Sequence, residues 1–197
     1  MWLEGSQMQM RDFVVRFAGE GGQGVVTSAE GLAQVSTQVG YHALTYATFP
    51  SQILGGPTWT QARISDQQIL SAGDDVDVLV AFNRDAYETH SIEVRDGGII
   101  IFNSDDRDFE NFTPSSETKC FGLPIDELAR STGNNRSANM VVMGALAHLV
   151  NMPQEYLDEF VESRFRRGRS NDDEIIASNI QAMNLGRNHT SESGLIL

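Results

Sequence analysis

Phe13-Val14-Val15-Arg16-Phe17-Ala18-Gly19-Glu20-Gly21-Gly22-Gln23-Gly24, with the Val25–Val39 run behind it, decides the fold. Phe13–Ala18 is short, β-branched and aromatic, the composition of a buried strand. Gly19–Gly24 follows at once and fits G-x-G-x-x-G, with an extra glycine at 22. From Val25 onward the apolar residues fall at 25, 26, 29, 32, 33 and 35, one face of a helix. A strand that enters a helix through such a turn leaves unpaired N–H groups and a positive dipole end pointing at one place. That arrangement holds anions, most often phosphates. Gly19, Gly21, Gly22, Gln23 and Gly24 are therefore the candidate cofactor-binding residues. The alternative is that the glycines only make a tight turn against a neighbouring loop.

Two nucleotide readings of this turn lack a part. A dinucleotide site calls for Asp or Glu about 20 residues on, and Tyr41-His42-Ala43-Leu44-Thr45-Tyr46-Ala47-Thr48 carries no acid. A Walker loop needs Lys where Val25 stands.

Outward from the turn, the remaining pattern predicts an α/β, Rossmann-like domain, a mostly parallel sheet with helices on both faces, over residues 13–187. Residues 1–12 read as a flexible leader and 188–197 as a tail or linker. Gly40 closes the first helix, and Tyr41–Thr48, Thr58–Ser65, Val76–Asn83, Ile99–Phe102 and Thr118–Gly122 read as strands. Asn83 follows its strand at the carboxyl edge, where side chains of open α/β sheets meet ligands; the alternative, which is preferred, is that it caps a helix beginning near Arg84. Pro124 is placed at the first position of a helix running to Gly133. Met140–Val150 is apolar nearly all round, which predicts burial in the core or at a subunit contact. Pro153–Arg167 forms a further helix whose Arg164, Arg166 and Arg167 are the only basic cluster. The last helix follows Ser170–Glu174 and is expected to end near Gly186. The loop Phe49–Leu54 and the Met140–Val150 helix are the expected contact surfaces, toward a partner chain or, in the isolated protein, a second copy.

Composition narrows the function. The chain has 197 residues, enough to bury roughly 70% of its unfolded surface. Its 27 acidic against 14 basic side chains give a net charge of −13, a field that repels phosphate backbones and anionic lipid. Nucleic acid and membrane are therefore not expected partners, and no apolar run is long enough to span a bilayer. A single cysteine, Cys120, cannot form a cluster or zinc site by itself. Asn103-Ser104-Asp105-Asp106 lacks a second carboxylate pair at ligand spacing, so no metal site is expected. No hydrolase elbow, zincin or kinase motif occurs, and no catalytic residue is assigned. Gly21-Gly22-Gln23 resembles the peptide-release motif of translation release factors, but an acidic chain is a poor RNA-facing domain.

Three stretches carry a family resemblance. Arg16–Val26 resembles the opening of the gamma subunit, or gamma-like domain, of 2-oxoacid:ferredoxin oxidoreductases, which act on pyruvate, 2-oxoglutarate or ketoisovalerate. Phe49–Thr58, with the strand ending Arg63-Ile64-Ser65, is similar to that family's Gly-Gly loop, and Ala138–Leu146 to its later helix. The resemblance implies a cytoplasmic complex that oxidatively decarboxylates a 2-oxoacid on thiamine diphosphate. It passes electrons through iron–sulfur clusters to ferredoxin and makes an acyl-CoA. This sequence lacks the G-D-G thiamine signature and the cluster cysteines, so those groups are expected on alpha and beta partner chains. The isolated chain is then expected to be inactive, architectural in role, with a share in binding coenzyme A at Gly19–Gly24. Its form resembles gamma domains fused ahead of an alpha-type domain, as an excised domain or a free subunit, with pyruvate or 2-oxoglutarate as the expected substrate. A stand-alone nucleotide-binding module and a ligand-free adaptor remain the alternatives.

Overall fold

The computed structural model describes residues 12–49, 56–110, 112–113 and 118–195. Residues 1–11 of the leader read over 1–12, and most of the Phe49–Leu54 loop, lie outside them. Asp12, read as leader, is instead the first residue of the first strand, where it pairs with Ser65. In chain order the elements are β1 (Asp12–Glu20), α1 (Val25–Gln38), β2 (His42–Thr48), β3 (Pro57–Ser65), β4 (Val76–Ala81) and α2 (Arg84–His90). They continue with β5 (Val94–Asn103), β6 (Lys119–Leu123), α3 (Ile125–Ser131), α4 (Ala138–Leu149), α5 (Gln154–Phe165) and α6 (Asp172–Glu192).

The sheet order is β2-β3-β1-β4-β5-β6. β1 pairs in parallel with β4, β4 with β5, and β5 with β6. β3 lies antiparallel between β1 and β2, so five strands share one direction and β3 alone opposes them. The expected α/β, mostly parallel architecture is therefore present. The chain leaves β1 toward β2 and leaves β4 toward β5, so the connections diverge at the β1–β4 pair. The carboxyl ends of two such strands flank the crevice where open α/β sheets bind ligands.

Strand alternation divides the core in two. Phe13, Val15 and Phe17 of β1 point with Val78, Val80, Ile99 and Ile101 into a large cluster shared with α1, α4, α5 and α6. Ala18, Leu79, Ala81 and Ile100 face the other way, onto Ala86 and Tyr87 of α2 and onto Phe109. Helices thus cover both faces unequally, and Tyr46 of β2 remains 51% exposed.

α1 ends as its sequence predicts. Gly40 adopts φ +98°, its N–H donates to Thr37 O at 3.1 Å, and Tyr41 N–H donates to Ser36 O at 3.0 Å. This double bond pattern is a Schellman closure. Three further expectations are corrected. Pro124 is the N-cap of α3 and not its first residue. β5 begins at Val94, five residues before Ile99, and carries Gly97 at φ +79° through a register irregularity against β4. α6 runs past Gly186 to Glu192, so residues 188–192, read as tail, are helical. Gly186 is no stop because it sits against the backbone of Val141, and beyond it Thr190 is buried and returns its hydroxyl to Gly186 O at 2.9 Å. α4, expected in the core or at a subunit contact, lies in the core between α1, α3 and α6. Phe49, by contrast, is 70% exposed.

Candidate functional site

The turn Glu20–Gly24 sits at the carboxyl end of β1, at the divergence point. Gly24, at φ +86°, is the N-cap of α1, and no side chain caps that end among the described residues. The first-turn N–H groups of a helix have no intrahelical acceptor, and no acidic residue occupies this first turn. A cavity of about 540 Å³ opens here, lined on one side by Gly22, Gln23, Gly24 and Thr27. Asn135, Arg136, Ala138 and Asn139 line its other side. Asn135 and Arg136 lead into α4 and Ala138 and Asn139 open it; its N-cap Ser137 makes no side-chain cap bond and its first turn also lacks an acid. Two helix N-termini therefore converge on one cavity, each contributing a positive dipole end.

The side chains sharpen that polarity. Arg136 is exposed, its backbone N–H fixed by Asn134 Oδ1 at 3.1 Å, and its guanidinium has no partner among the described residues. Asp126, the one carboxylate in the lining, accepts from Asn103 Nδ2 at 2.9 Å. The donor set suits an anion.

The predicted site residues divide. Gly22, Gln23 and Gly24 line this cavity, while Gly19 lines a smaller cleft of about 390 Å³ on the α2 side, with Glu20, Asn83 and His90. Gly21 is exposed and lines neither. Gly19 serves packing: a Cβ there would lie 2.5 Å from Gln23 Oε1 and 2.9 Å from Phe82 Cβ. Gly24 passes close to the second half of the site, since its Cβ would lie 3.0 Å from Asn139 Cβ. Gly22 has open space around it but φ +102°, a conformation that side chains resist. Gln23 folds back into the turn, its Oε1 accepting from Glu20 N–H at 2.7 Å and Asn83 Nδ2 at 3.3 Å. Asn83 caps α2 as predicted, accepting from Ala86 N–H at 2.9 Å, and also joins the end of β4 to the turn.

Thr27, Arg136 and Asn139 were not singled out by sequence. Arg136 lies more than a hundred residues from the turn, and only the stacking of α4 beside α1 brings it there. The uncapped Asn-Asn-Arg-Ser lead into an apolar helix was the signal available. At Asn103–Asp106, Asp105 accepts from Glu127 N–H and Asp106 from Asp108 N–H. No group of His, Cys, Asp or Glu suited to a metal ion occurs among the described residues. In the α2-side cleft, burial pushes the His90 imidazole below its ordinary value, outweighing the opposite pull of Glu93.

With this geometry in place, the class is clear: a mostly parallel α/β domain with an anion-suited crevice at its β1–β4 divergence. The chain belongs to the pyruvate ferredoxin/flavodoxin oxidoreductase family, whose sequence pattern matches residues 14–189. It is 30% identical over 181 residues to ketoisovalerate oxidoreductase subunit VorA of Methanothermobacter marburgensis, covering 90% of this chain and 36% of the relative. The chain thus spans about a third of the length of the curated relatives it first matches. Among solved structures it is similar to the 2-oxoglutarate:ferredoxin oxidoreductase of Magnetococcus marinus with 2-oxoglutarate, coenzyme A and succinyl-CoA bound. There the TM-score is 0.84 at 30% identity, over 93% of this chain and 32% of that one. The keto/oxoacid ferredoxin oxidoreductase gamma subunit of Geobacter sulfurreducens shares the fold, with TM-score 0.78 and 22% identity over 93% of this chain and 98% of that chain. The gamma-type resemblance carried by the three sequence stretches agrees with these findings. Among the described residues no helix is long and apolar enough to cross a membrane.

Proposed function

We propose that this chain is the gamma component of a 2-oxoacid:ferredoxin oxidoreductase, and that its glycine-turn cavity holds a phosphate of coenzyme A. The observation that carries the second part is the convergence on one cavity of two helix N-termini and the Arg136 guanidinium, none of which has a side-chain partner among the described residues. The similarity to an oxidoreductase solved with coenzyme A and succinyl-CoA supports it. Coenzyme A would supply the thiol that accepts the acyl group. This chain's own part would be to bind and orient: the first-turn amides of α1 and α4 and the Arg136 guanidinium would hold anionic oxygens. Gln23 and Asn83 would keep the turn in shape. With one cysteine and no thiamine signature, the chain would leave decarboxylation and electron transfer to alpha and beta chains, which would deliver electrons to ferredoxin. Pyruvate and 2-oxoglutarate are the substrates we favour.

Thr27→Asp in the assembled enzyme tests the coenzyme A role. Thr27 is the third residue of α1, where a carboxylate favours the helix dipole while repelling a bound anion. Expected are an unchanged or raised melting temperature and a coenzyme A Kd weakened about tenfold, a loss on the scale of one charge-assisted hydrogen bond. Sulfate should compete with coenzyme A in the wild type, because a helix end recognises charge. Unaltered coenzyme A binding in the variant would reject the site.

A further inference from the structure

The two edges of the sheet are built differently. β6, at one edge, opens with Lys119, and α6 packs beside it, the ring of His189 centred 5.8 Å from that of Phe121. β2, at the other edge, reads His42-Ala43-Leu44-Thr45-Tyr46-Ala47-Thr48, with no lysine, proline or carboxylate. Its pairing with β3 runs unbroken from His42–Ser65 to Thr48–Trp59, so no bulge turns it aside. Among the described residues no strand lies on its outer side. Lysine, proline and bulges are the devices that keep a strand edge from pairing with another chain, and β2 carries none of them.

Charge marks the same side of the molecule. Residues 31–65 supply most of α1 and all of β2 and β3, and they contain no Asp or Glu, although the whole chain carries 27. Arg63 is their one Lys or Arg, and it is paired with Asp12. Two copies of a chain of charge −13 repel each other in most orientations. At the β2 edge they can approach without setting carboxylate against carboxylate. Apolar surface lies there too. Ala43 packs on the large core cluster, so Leu44 and Tyr46 point to the opposite face by alternation. There Tyr46 meets Trp59, with ring centroids 5.6 Å apart, and is half-exposed. Aromatic side chains on a surface depleted of charge are the composition of an interface core.

β2 is also complementary to itself. Laid antiparallel to a second β2 about a two-fold axis at Thr45, its central residue, every residue of the strand finds a partner. Thr45 then faces Thr45, Ala43 faces Ala47, Leu44 faces Tyr46 and His42 faces Thr48. Thr–Thr pairs stabilise antiparallel ladders, and Tyr46 against Leu44 removes apolar area from water. The small Ala43–Ala47 pairs fall on the side that α1 covers. We infer that a second copy of this chain pairs with β2 through this two-fold, joining the two sheets into one. A seven-residue strand and its flanks fall short of the roughly 20–30 residues a side of a standard interface, so the dimer is a weak one, with Kd on the order of tens of micromolar.

Sedimentation equilibrium of the 197-residue chain, over concentrations bracketing that Kd, should show monomer giving way to dimer. Thr45→Lys and Thr45→Glu each set like charges face to face at the axis. Either substitution alone should weaken the dimer about tenfold or more. Thr45 is exposed, so both variants should keep the wild-type circular dichroism spectrum. Mixed one to one, they should associate again, because lysine then faces glutamate. Only a contact in which Thr45 meets its own counterpart gives repulsion in each pure variant and recovery in the mixture. A wild-type chain that stays monomeric throughout overturns the inference and leaves this edge to a partner of different sequence. So does a dimer that neither substitution weakens. Weakening by both without recovery on mixing also overturns it, since Thr45 would then lie in a contact of another register.

Discussion

Gly144 of α4 and Gly186 of α6 each lie directly on the other helix's backbone. A Cβ on Gly144 would overlap the carbonyl oxygen of Met183, and one on Gly186 the carbonyl oxygen of Val141. The two glycines are reciprocal: each removes a side chain where the opposite helix passes. This close crossing seats the N-terminal end of α4 beside the glycine turn, and so bears on the site as well as on stability.

Replacing either glycine with Ala should therefore be costly although Ala is the better helix former. Backbone cannot give way as a flexible side chain can, so the helices must separate, opening the packing around Met140, Met143 and Met183. Overpacking of a tight core costs about 1–3 kcal/mol, occasionally more. Urea denaturation of Gly144→Ala and Gly186→Ala should show a lowered midpoint for each. The double variant should cost less than the sum, since one separation relieves both clashes.

Buried Asp172 gives a pH test. Burial alone would raise its carboxyl, but the N–H groups of Arg169 and Arg167 and the Arg169 guanidinium hold it at about 2, below the ordinary 3.8. Because the folded value is the lower one, the stabilisation is complete above the unfolded value and is lost as pH falls through about 2. Asp172→Asn should be less stable at neutral pH. The stability difference between wild type and variant should shrink as pH drops from about 4 to 2; a difference independent of pH across that window would refute the assignment.

Arg16 is a charged residue inside the sheet. Its Nε and Nη2 donate to Gln61 Oε1 at 3.1 and 2.8 Å, its Nη1 pairs with Glu93, and its guanidinium lies 4.4 Å from the Trp59 ring centroid. Arg16→Leu keeps bulk but leaves the buried Gln61 oxygen without those donors, a loss of about 1–3 kcal/mol. Chemical denaturation should show it. Gln61→Leu in the same background should recover part of the loss, since the orphaned acceptor is then gone, although the amide's bonds to Ala72 O and Gly73 O go with it.

How much of this was legible in the sequence depends on distance along the chain. β1, the glycine turn and α1 are local, and their residues specify them without help: a buried apolar strand, positive-φ glycines, a helical face. Gly40 likewise carries its closure in its own conformation. The antiparallel insertion of β3 between β1 and β2 was not readable, because alternation sets which side chains face inward but not which strand is the neighbour. Gly186 misled for a related reason. A glycine near the end of an apolar pattern reads as a stop, yet its purpose is set by Val141, 45 residues earlier. The same holds for half of the candidate site, since Arg136 and Asn139 reach the turn only through the α4–α6 and α1–α4 packing.

The last prediction separates the two roles of Gln23. Its Oε1 holds Glu20 N–H and Asn83 Nδ2, while the residue also lines the glycine-turn cavity. Gln23→Ala removes the acceptor, so the turn should loosen and the melting temperature fall, by an amount set by roughly 1 kcal/mol for an ordinary hydrogen bond. That variant alone says little about ligands, since a loosened turn would bind poorly for structural reasons. Gln23→Glu keeps an oxygen in reach of both donors and adds a negative charge beside the cavity. It should retain more of the melting temperature than Gln23→Ala and yet weaken coenzyme A more, because an anion there is repelled. Raised salt should narrow the gap between Gln23→Glu and wild type by screening. Coenzyme A affinity that simply follows melting temperature across the pair would make Gln23 a packing residue of the turn and nothing more.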